Sequence, residues 1–446
     1  MFQRWLYKNY RISSGFRHRV KRVFTPAGVW VAVAAVACAA IGIDTNEAVA
    51  YQVFTLLAAM LVISFFLRFS KGQKIVIERS VPRYGTVGQA LKYQVRVQNM
   101  GTKIARGFTL FEDLGDPRPT FEQFLNNPEP EEQKRNAWDR MIRFYRWSWL
   151  LERNKIAQSS EVIAPATGPG ERVELTAEIV PSRRGLLKFQ GISVAWPDPL
   201  GLFRGFTSIS LPGKALILPK RYLLPNLTLP GKKEHQPGGV ALASSVGDSE
   251  EFVALREYRR GDPLRHVHWN SVARTGKLIV KEFQDEYFVR HALVLDTFLE
   301  AGMDESFEEA ISLAASLAYT IRSQESLLDL LFIGPEAYCL TSGRGTGNIE
   351  HVLEVLAAVQ PCTSGPFEQL RDLVMRHLQQ VSGCICILLG WDERRKELVQ
   401  QLRVYQLPLL VLVVSNETNE PQPVDRGSCQ IRFLQPGKIE ESLAKL

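Results

Sequence analysis

The pattern of apolar and polar positions divides the chain into three regimes. Near the start, FTPAGVWVAVAAVACAAIGI (24–43) and AVAYQVFTLLAAMLVISFFL (48–67) run without a charge, separated only by an acidic tip, DTNE. About 20 helical residues span the roughly 30 Å hydrocarbon core of a bilayer, so 24–67 is predicted to be a two-helix transmembrane hairpin. The middle of the chain alternates. KIVIERSVP and ALKYQVRVQNMG alternate apolar and polar residues, IARGFTLFEDL reads as a third strand, and ERVELTAEIVPSRRGLLKFQGISVAWPDPLGLFRGF resumes the β pattern. Short strands with regular turn punctuation predict a β-sandwich over 74–220. The last regime is different again. RHALVLDTF, LLDLLFIG, GCICILLGW and LPLLVLVVS are continuous apolar runs, separated by helical segments such as DESFEEAISLAASLAYTIRS (304–323). Buried strands alternating with helices predict an α/β unit with a parallel sheet over 287–446.

One segment interrupts the alternation. Residues 116–157 are charged and aromatic, with Trp138, Ile142, Tyr145 and Trp149 at helical spacing and Arg140, Arg143 and Arg146 beside them. Two readings stand here: a helix packed on its own domain, or an amphipathic helix against lipid or a partner.

Charge adds an orientation. The net charge is +7, and the tail 1–23 alone holds Arg4, Lys8, Arg11, Arg17, Arg19, Lys21 and Arg22 with no acid. Arg68, Lys71 and Lys74 follow the second apolar run. Basic flanks outside an acidic tip place both ends of the hairpin in the cytoplasm. A second span follows the first at once, which argues against a cleaved signal peptide. The six cysteines show no metal-binding spacing, and Cys384 and Cys386 are expected on one face of a strand.

The densest chemistry lies in GDPLRHVHWNSVARTGKLIVKEF (261–283). Its basic residues alternate with acids, which disfavours nucleic acid, whose phosphates call for an unbalanced positive field. His266 and His268 lack a further ligand of similar type for zinc. Asp262, His268 and Ser271 supply the residue types of a hydrolytic triad, yet no nucleophile elbow surrounds Ser271. The remaining reading is a polar network in the linker region 221–286. There Arg265 and Arg274 would each bond Asp262 or backbone carbonyls, and Trp269 would bury its ring while its indole N–H finds a partner. In the α/β unit, Asp296 and Asp392 follow apolar strands, where open sheets bind ligands.

The order of the last regime resembles a von Willebrand factor A domain. Such domains hold a metal ion with Asp-x-Ser-x-Ser, whereas this chain reads DTFLE, with Phe298 and Glu300 in the serine positions. Phe298 offers no oxygen. The expectation is a degenerate site (Asp296, Thr297, Glu300, Asp392) and no cofactor, with Mg²⁺ the one ion such a site would take. LREYRRGDPLRHVHWNSVARTGKLIVKEFQDE in turn resembles the signature of the bacterial domain of unknown function 58 family, at Arg256, Tyr258, Gly261, Asp262, Arg265, Trp269, Ser271, Ala273, Arg274, Leu278, Val280 and Lys281. His268 joins these in the expected network. The resemblance implies a multi-pass protein of the bacterial cytoplasmic membrane. It also implies a non-enzymatic scaffold partnered with a MoxR-type AAA+ ATPase, and with a transglutaminase-like membrane protein. The alternative is a membrane-linked hydrolase or transferase acting on cell-envelope precursors.

Overall fold

The computed structural model describes residues 2–41, 48–69, 74–105, 107–130, 132–224, 252–262, 264–283, 290–299, 304–323, 327–343, 349–362, 365–415, 424–426 and 429–443. The chain divides into two compact units, one of them built mainly from Met1–Arg221.

That first unit opens with three helices, α1 (Phe2–Val23), α2 (Pro26–Ile41) and α3 (Ala48–Leu67). Within α3, Val49–Leu67 is long and apolar enough to cross a membrane, and almost none of it is buried in the protein. The first apolar run does not give an equal partner. Its helix has 16 residues, a rise of about 24 Å. The reason is local. Phe24 forms a β-bridge with Phe203, and the Thr25 N–H donates to the Leu202 carbonyl at 3.1 Å. The Thr25 hydroxyl then accepts the Gly28 N–H at 3.0 Å, capping a helix that starts at Pro26. Two residues of the apolar run are thus spent on a junction, and 42–47 lie outside the described residues. The basic tail is also more than a tail: α1 is a regular helix across nearly all of 1–23.

Among the described residues the sandwich has nine strands: β1 (Ile75–Ser80), β2 (Tyr84–Thr86), β3 (Leu91–Asn99), β4 (Thr109–Leu114), β5 (Ala157–Ser159), β6 (Val162–Ile163), β7 (Arg172–Pro181), β8 (Gly185–Pro197) and β9 (Arg204–Leu218). They form two sheets, ordered β1-β3-β7-β5 and β2-β9-β8-β4-β6. Alternation in β3 buries Tyr93, Val95 and Val97, which meet Phe189, Ile192 and Val194 of β8 in one core.

Between β4 and β5 come three helices, α4 (Phe121–Asn126), α5 (Ala137–Ile142) and α6 (Phe144–Asn154). The stripe Trp138–Ile142–Tyr145–Trp149 is not one face. Arg143 adopts a left-handed conformation, φ 57°, so the helix breaks there and its second half is re-phased. The buried face becomes Arg146, Trp147 and Leu150, and Trp138 stays exposed. Trp147, Leu150 and Phe124 pack around Tyr7 of α1. The insertion is therefore the seat of the N-terminal helix. Arg146 secures it through two bonds to Glu132, at 2.8 and 2.6 Å, and through the Phe124 and Leu125 carbonyls at the end of α4.

The turn Pro197–Arg204 grips the apolar helices. Asp198 is buried and accepts the N–H of Leu200 at 3.1 Å, that of Phe203 at 2.8 Å, and the hydroxyl of Ser64 in α3. A side chain at Gly28 of α2 would overlap the Leu202 carbonyl. This turn ties β8 and β9 to α2 and α3.

A charged group sits inside the sandwich. Glu112 is paired with Arg79 and accepts the Tyr93 hydroxyl at 2.7 Å. Burial pushes its carboxyl up to about 7, against the pull of Tyr93 and Arg79. A carboxyl raised in the folded state favours the protonated protein, so its contribution is lost as pH climbs from the unfolded value toward about 7. Thermal melts should show stability falling across that window, and Glu112→Gln should flatten the fall. Parallel profiles for the two proteins would refute the assignment.

In the second unit, β10 (Phe252–Glu257) and β11 (Ile279–Phe283) form an antiparallel pair of their own, with α7 (Trp269–Thr275) between them in sequence. The larger sheet follows. Its elements are β12 (Arg290–Leu295), α8 (Asp304–Ser323), β13 (Leu327–Ile333), β14 (Ala337–Ser342), α9 (Ile349–Ala358), α10 (Glu368–His377), β15 (Gly383–Leu389), α11 (Glu393–Val404), β16 (Leu409–Val414), β17 (Val424–Arg426), β18 (Cys429–Leu434) and α12 (Ile439–Leu443). The strand order is β14-β13-β12-β15-β16-β18-β17. The five central strands are parallel and the two edges antiparallel. Buried residues of α10 and α11 share a core with Ala292, Val294, Cys384 and Cys386 on one face of the sheet. The alternate residues Leu293, Leu295, Ile385 and Ile387 are equally buried on the other face.

Candidate functional site

The topology selects one crevice. From β12 the chain passes to β13 on one side and later to β15 on the other, so the strand order reverses between β12 and β15. Open parallel sheets bind ligands at the carboxyl ends of strands beside such a reversal. Asp296 lies there, fully buried. One carboxylate oxygen accepts the Phe298 N–H at 2.9 Å. The other accepts the Leu389 N–H, from the end of β15, at 3.0 Å.

The crevice already contains a cation. Arg395 of α11 donates its Nε to Asp296 at 2.7 Å, one terminal nitrogen to Asp392 at 2.8 Å, and the other to the Phe298 carbonyl at 3.0 Å. Asp392 also caps α11 by accepting the Arg395 N–H at 2.9 Å. The Phe367 ring lies 5.3 Å from the guanidinium, and Phe298 packs edge-on against that ring. Burial pushes the Asp296 carboxyl up, while Arg395 and the two backbone donors pull it down. Asp296 and Asp392 therefore converge, but on a guanidinium. Thr297 turns away and donates its hydroxyl to the Ile333 carbonyl. Glu300 lies outside the described residues. Among the described residues no group of three acidic, histidine or cysteine side chains is arranged to hold a metal. Arg395 supplies internally the positive charge that a metal would bring, and its position in a charged helix, DERRKEL, gives no hint of it.

The signature region is built differently from the expected network. Asp262 is held by Arg256, not by Arg265 or Arg274. The two guanidinium nitrogens of Arg256 reach its two oxygens at 2.7 and 2.8 Å, and the Arg259 N–H adds a third bond at 2.8 Å. Those bonds from Arg256 and Arg259 hold the carboxyl down to about 2. The hairpin explains the choice, because Arg256 is the penultimate residue of β10, just ahead of the turn that carries Asp262. Tyr258 closes the same turn through its N–H to the Leu278 carbonyl at 2.9 Å. Lys281 sits on β11 opposite Leu255. Arg265 is exposed and, among the described residues, donates to His266 at 3.2 Å. Arg274 is exposed on α7.

His268 and Ser271 do meet, Nδ1 to Oγ at 2.7 Å. His268 is the N-cap of α7, and the Ser271 N–H donates to its carbonyl at 2.9 Å. This is a contact within one helical turn. No described bond joins Asp262 to His268, so the three triad residue types form no relay.

Trp269 does not bury its ring: it is 64% exposed, and Leu264 is 66% exposed. Leu255 and Leu278 are exposed as well. Val267 and Val280, bridged to each other, supply the small buried core beneath. A tryptophan and three leucines left in solvent among Arg259, Arg260, Arg265 and Arg274 have the composition of a recognition surface.

Residues 254–406 match the family model described as "Protein of unknown function DUF58". An uncharacterized protein, YeaD, of Bacillus subtilis (strain 168) is 25% identical over 214 residues, covering 46% of this chain and 52% of its own length. The chain thus spans about half of that curated relative. Among solved structures, the CARDB domain of the PF1109 protein from Pyrococcus furiosus is similar at 12% identity over 33% of this chain and 90% of that one, with a TM-score of 0.17. The ASH/PapD-like domain of human CEP192 matches at 12% identity over 33% of this chain and 87% of its own, with a TM-score of 0.18. TM-scores this low carry no argument.

Proposed function

We propose that this protein is a membrane-anchored adaptor that docks a MoxR-type AAA+ ATPase through the surface around Trp269. The observation that carries the reading is the exposure of Trp269, Leu264, Leu255 and Leu278 in the stretch matched by the family model. Interfaces draw most of their binding energy from a few residues, and tryptophan and arginine are enriched among them. The choice of partner rests on the family resemblance, which also suggests a transglutaminase-like membrane protein nearby. On this reading the seven-stranded unit is von Willebrand factor A-like. Its parallel centre and the acid at the end of β12 support that assignment, with Arg395 in the place of the ion. α2 joins α3 as the second arm of a membrane hairpin, which puts the soluble units in the cytoplasm of a bacterial cell.

The test is crosslinked capture of the full-length protein from native membranes with and without Mg²⁺ and ATP. Nucleotide-dependent recovery of an AAA+ ATPase is expected. Ser271→Ala separates this reading from a hydrolase. It removes one local hydrogen bond, a loss of about 1 kcal/mol, and partner capture should be undiminished. A stable Ser271→Ala protein that has lost all function would favour the hydrolytic reading.

A further inference from the structure

Helix α1 has two apolar faces, and only one of them is used. Tyr7 is buried against Phe121, Phe124 and Trp147, and the Tyr10 hydroxyl donates to the Ile142 carbonyl at 3.0 Å. On the far side, Phe2, Trp5, Ile12 and Phe16 fall within about one third of the helix circumference at 3.6 residues per turn. Trp5 is 60%, Ile12 70% and Phe16 68% exposed. Lys8 and Arg17 flank that stripe, and the helix contains no acidic residue; Arg4 lies instead over the Phe121 ring at 5.6 Å and Arg11 donates to the Tyr7 hydroxyl at 3.1 Å, both on the packed face.

We infer that α1 lies in the headgroup layer of an anionic bilayer, its outer stripe among the acyl chains and its basic border among the phosphates. An apolar stripe edged by lysine and arginine, with a tryptophan on it, is the composition of an interfacial helix. Each basic residue near an anionic surface adds to the attraction. The height of the helix fits. α1 ends at Val23, immediately before the junction at Phe24 and Thr25. At that junction the Phe203 ring lies between Phe24, at 4.6 Å, and Phe65 near the end of α3, at 6.0 Å. Arg68 there lies over the Phe65 and Phe69 rings, at 4.3 and 4.7 Å, an aromatic and basic girdle of the kind found at a membrane boundary. α1 then runs along the bilayer boundary and carries the insertion 116–157 on its inner face. The insertion then serves to hold a surface helix, which fixes the sandwich against the membrane.

The inference rests on the membrane part of the proposed function, and the experiment separates the two. Full-length protein bearing Trp5→benzoylphenylalanine, Phe16→benzoylphenylalanine or Leu56→benzoylphenylalanine is reconstituted in nanodiscs of phosphatidylglycerol or of phosphatidylcholine and irradiated. Lipid adducts are expected at all three positions in phosphatidylglycerol. In phosphatidylcholine the yields at Trp5 and Phe16 should fall several-fold, while Leu56, on α3, is unaffected. Adducts at Leu56 alone would overturn the placement of α1 and leave the anchor standing. Adducts at none of the three would overturn both, and protein–protein adducts at Trp5 or Phe16 would assign the stripe to a second copy.

Discussion

Replacing Arg395 with methionine should destabilise the α/β unit by about 3–5 kcal/mol, the usual consequence of stranding one member of a buried ion pair. Asp296 is fully buried, and its only cationic partner among the described residues is Arg395. Without the guanidinium, the carboxylate keeps two backbone donors but faces an apolar surround formed by Phe298, Phe367 and the ends of β12 and β15. Its carboxyl rises further, so the variant's deficit should be larger at pH 7.5 than at pH 5, because a raised carboxyl favours the protonated folded form. Arg395→Met combined with Asp296→Asn should recover part of the loss, since no charge is then left unpaired. Chelation of divalent ions should leave the wild-type melt unchanged. A wild-type melt that falls with EDTA, or an Arg395→Met protein as stable as wild type, would defeat the assignment of the guanidinium as the internal cation.

Trp269→Ala should do the opposite: leave stability nearly intact and remove the partner. A residue this exposed contributes little to the fold, and its loss should stay within about 0.5 kcal/mol, as for ordinary surface substitutions. As an interface anchor it should contribute about 2 kcal/mol or more to binding, a weakening of roughly thirtyfold. Leu264→Ala should act in the same direction with a smaller effect. A large drop in melting temperature for Trp269→Ala would instead mean that the ring is covered within the protein.

The contrast between these two residues shows what the sequence can and cannot convey. Local periodicity was readable. The alternation of 91–99 is β3, the stripe of 304–323 is α8, and Cys384 and Cys386 share a face with sulfurs 3.7 Å apart. Those features depend on neighbours in the chain. The Asp296 pair does not: Arg395 arrives from 99 residues away, and only the parallel order of β12 and β15 brings α11 over that strand end. The insertion failed for a different reason. A single left-handed residue, Arg143, re-phases the helix, and arginine carries no signal for that conformation as glycine would. Asp262 took Arg256 instead of Arg265 or Arg274 because the β10–β11 hairpin decides which guanidinium is near. The sequence places Trp269 within a polar network with its ring buried, yet burial is set by what covers a side chain.

The central claim is that the surface around Trp269 docks an ATPase. It is tested most directly by measuring the affinity of the captured AAA+ ATPase for full-length protein in nanodiscs, wild type against Trp269→Ala, with and without ATP. The account expects nucleotide-dependent binding to wild type that weakens at least tenfold in the variant at unchanged melting temperature. Equal affinity for the two proteins, or no AAA+ ATPase bound in either nucleotide state, would contradict it.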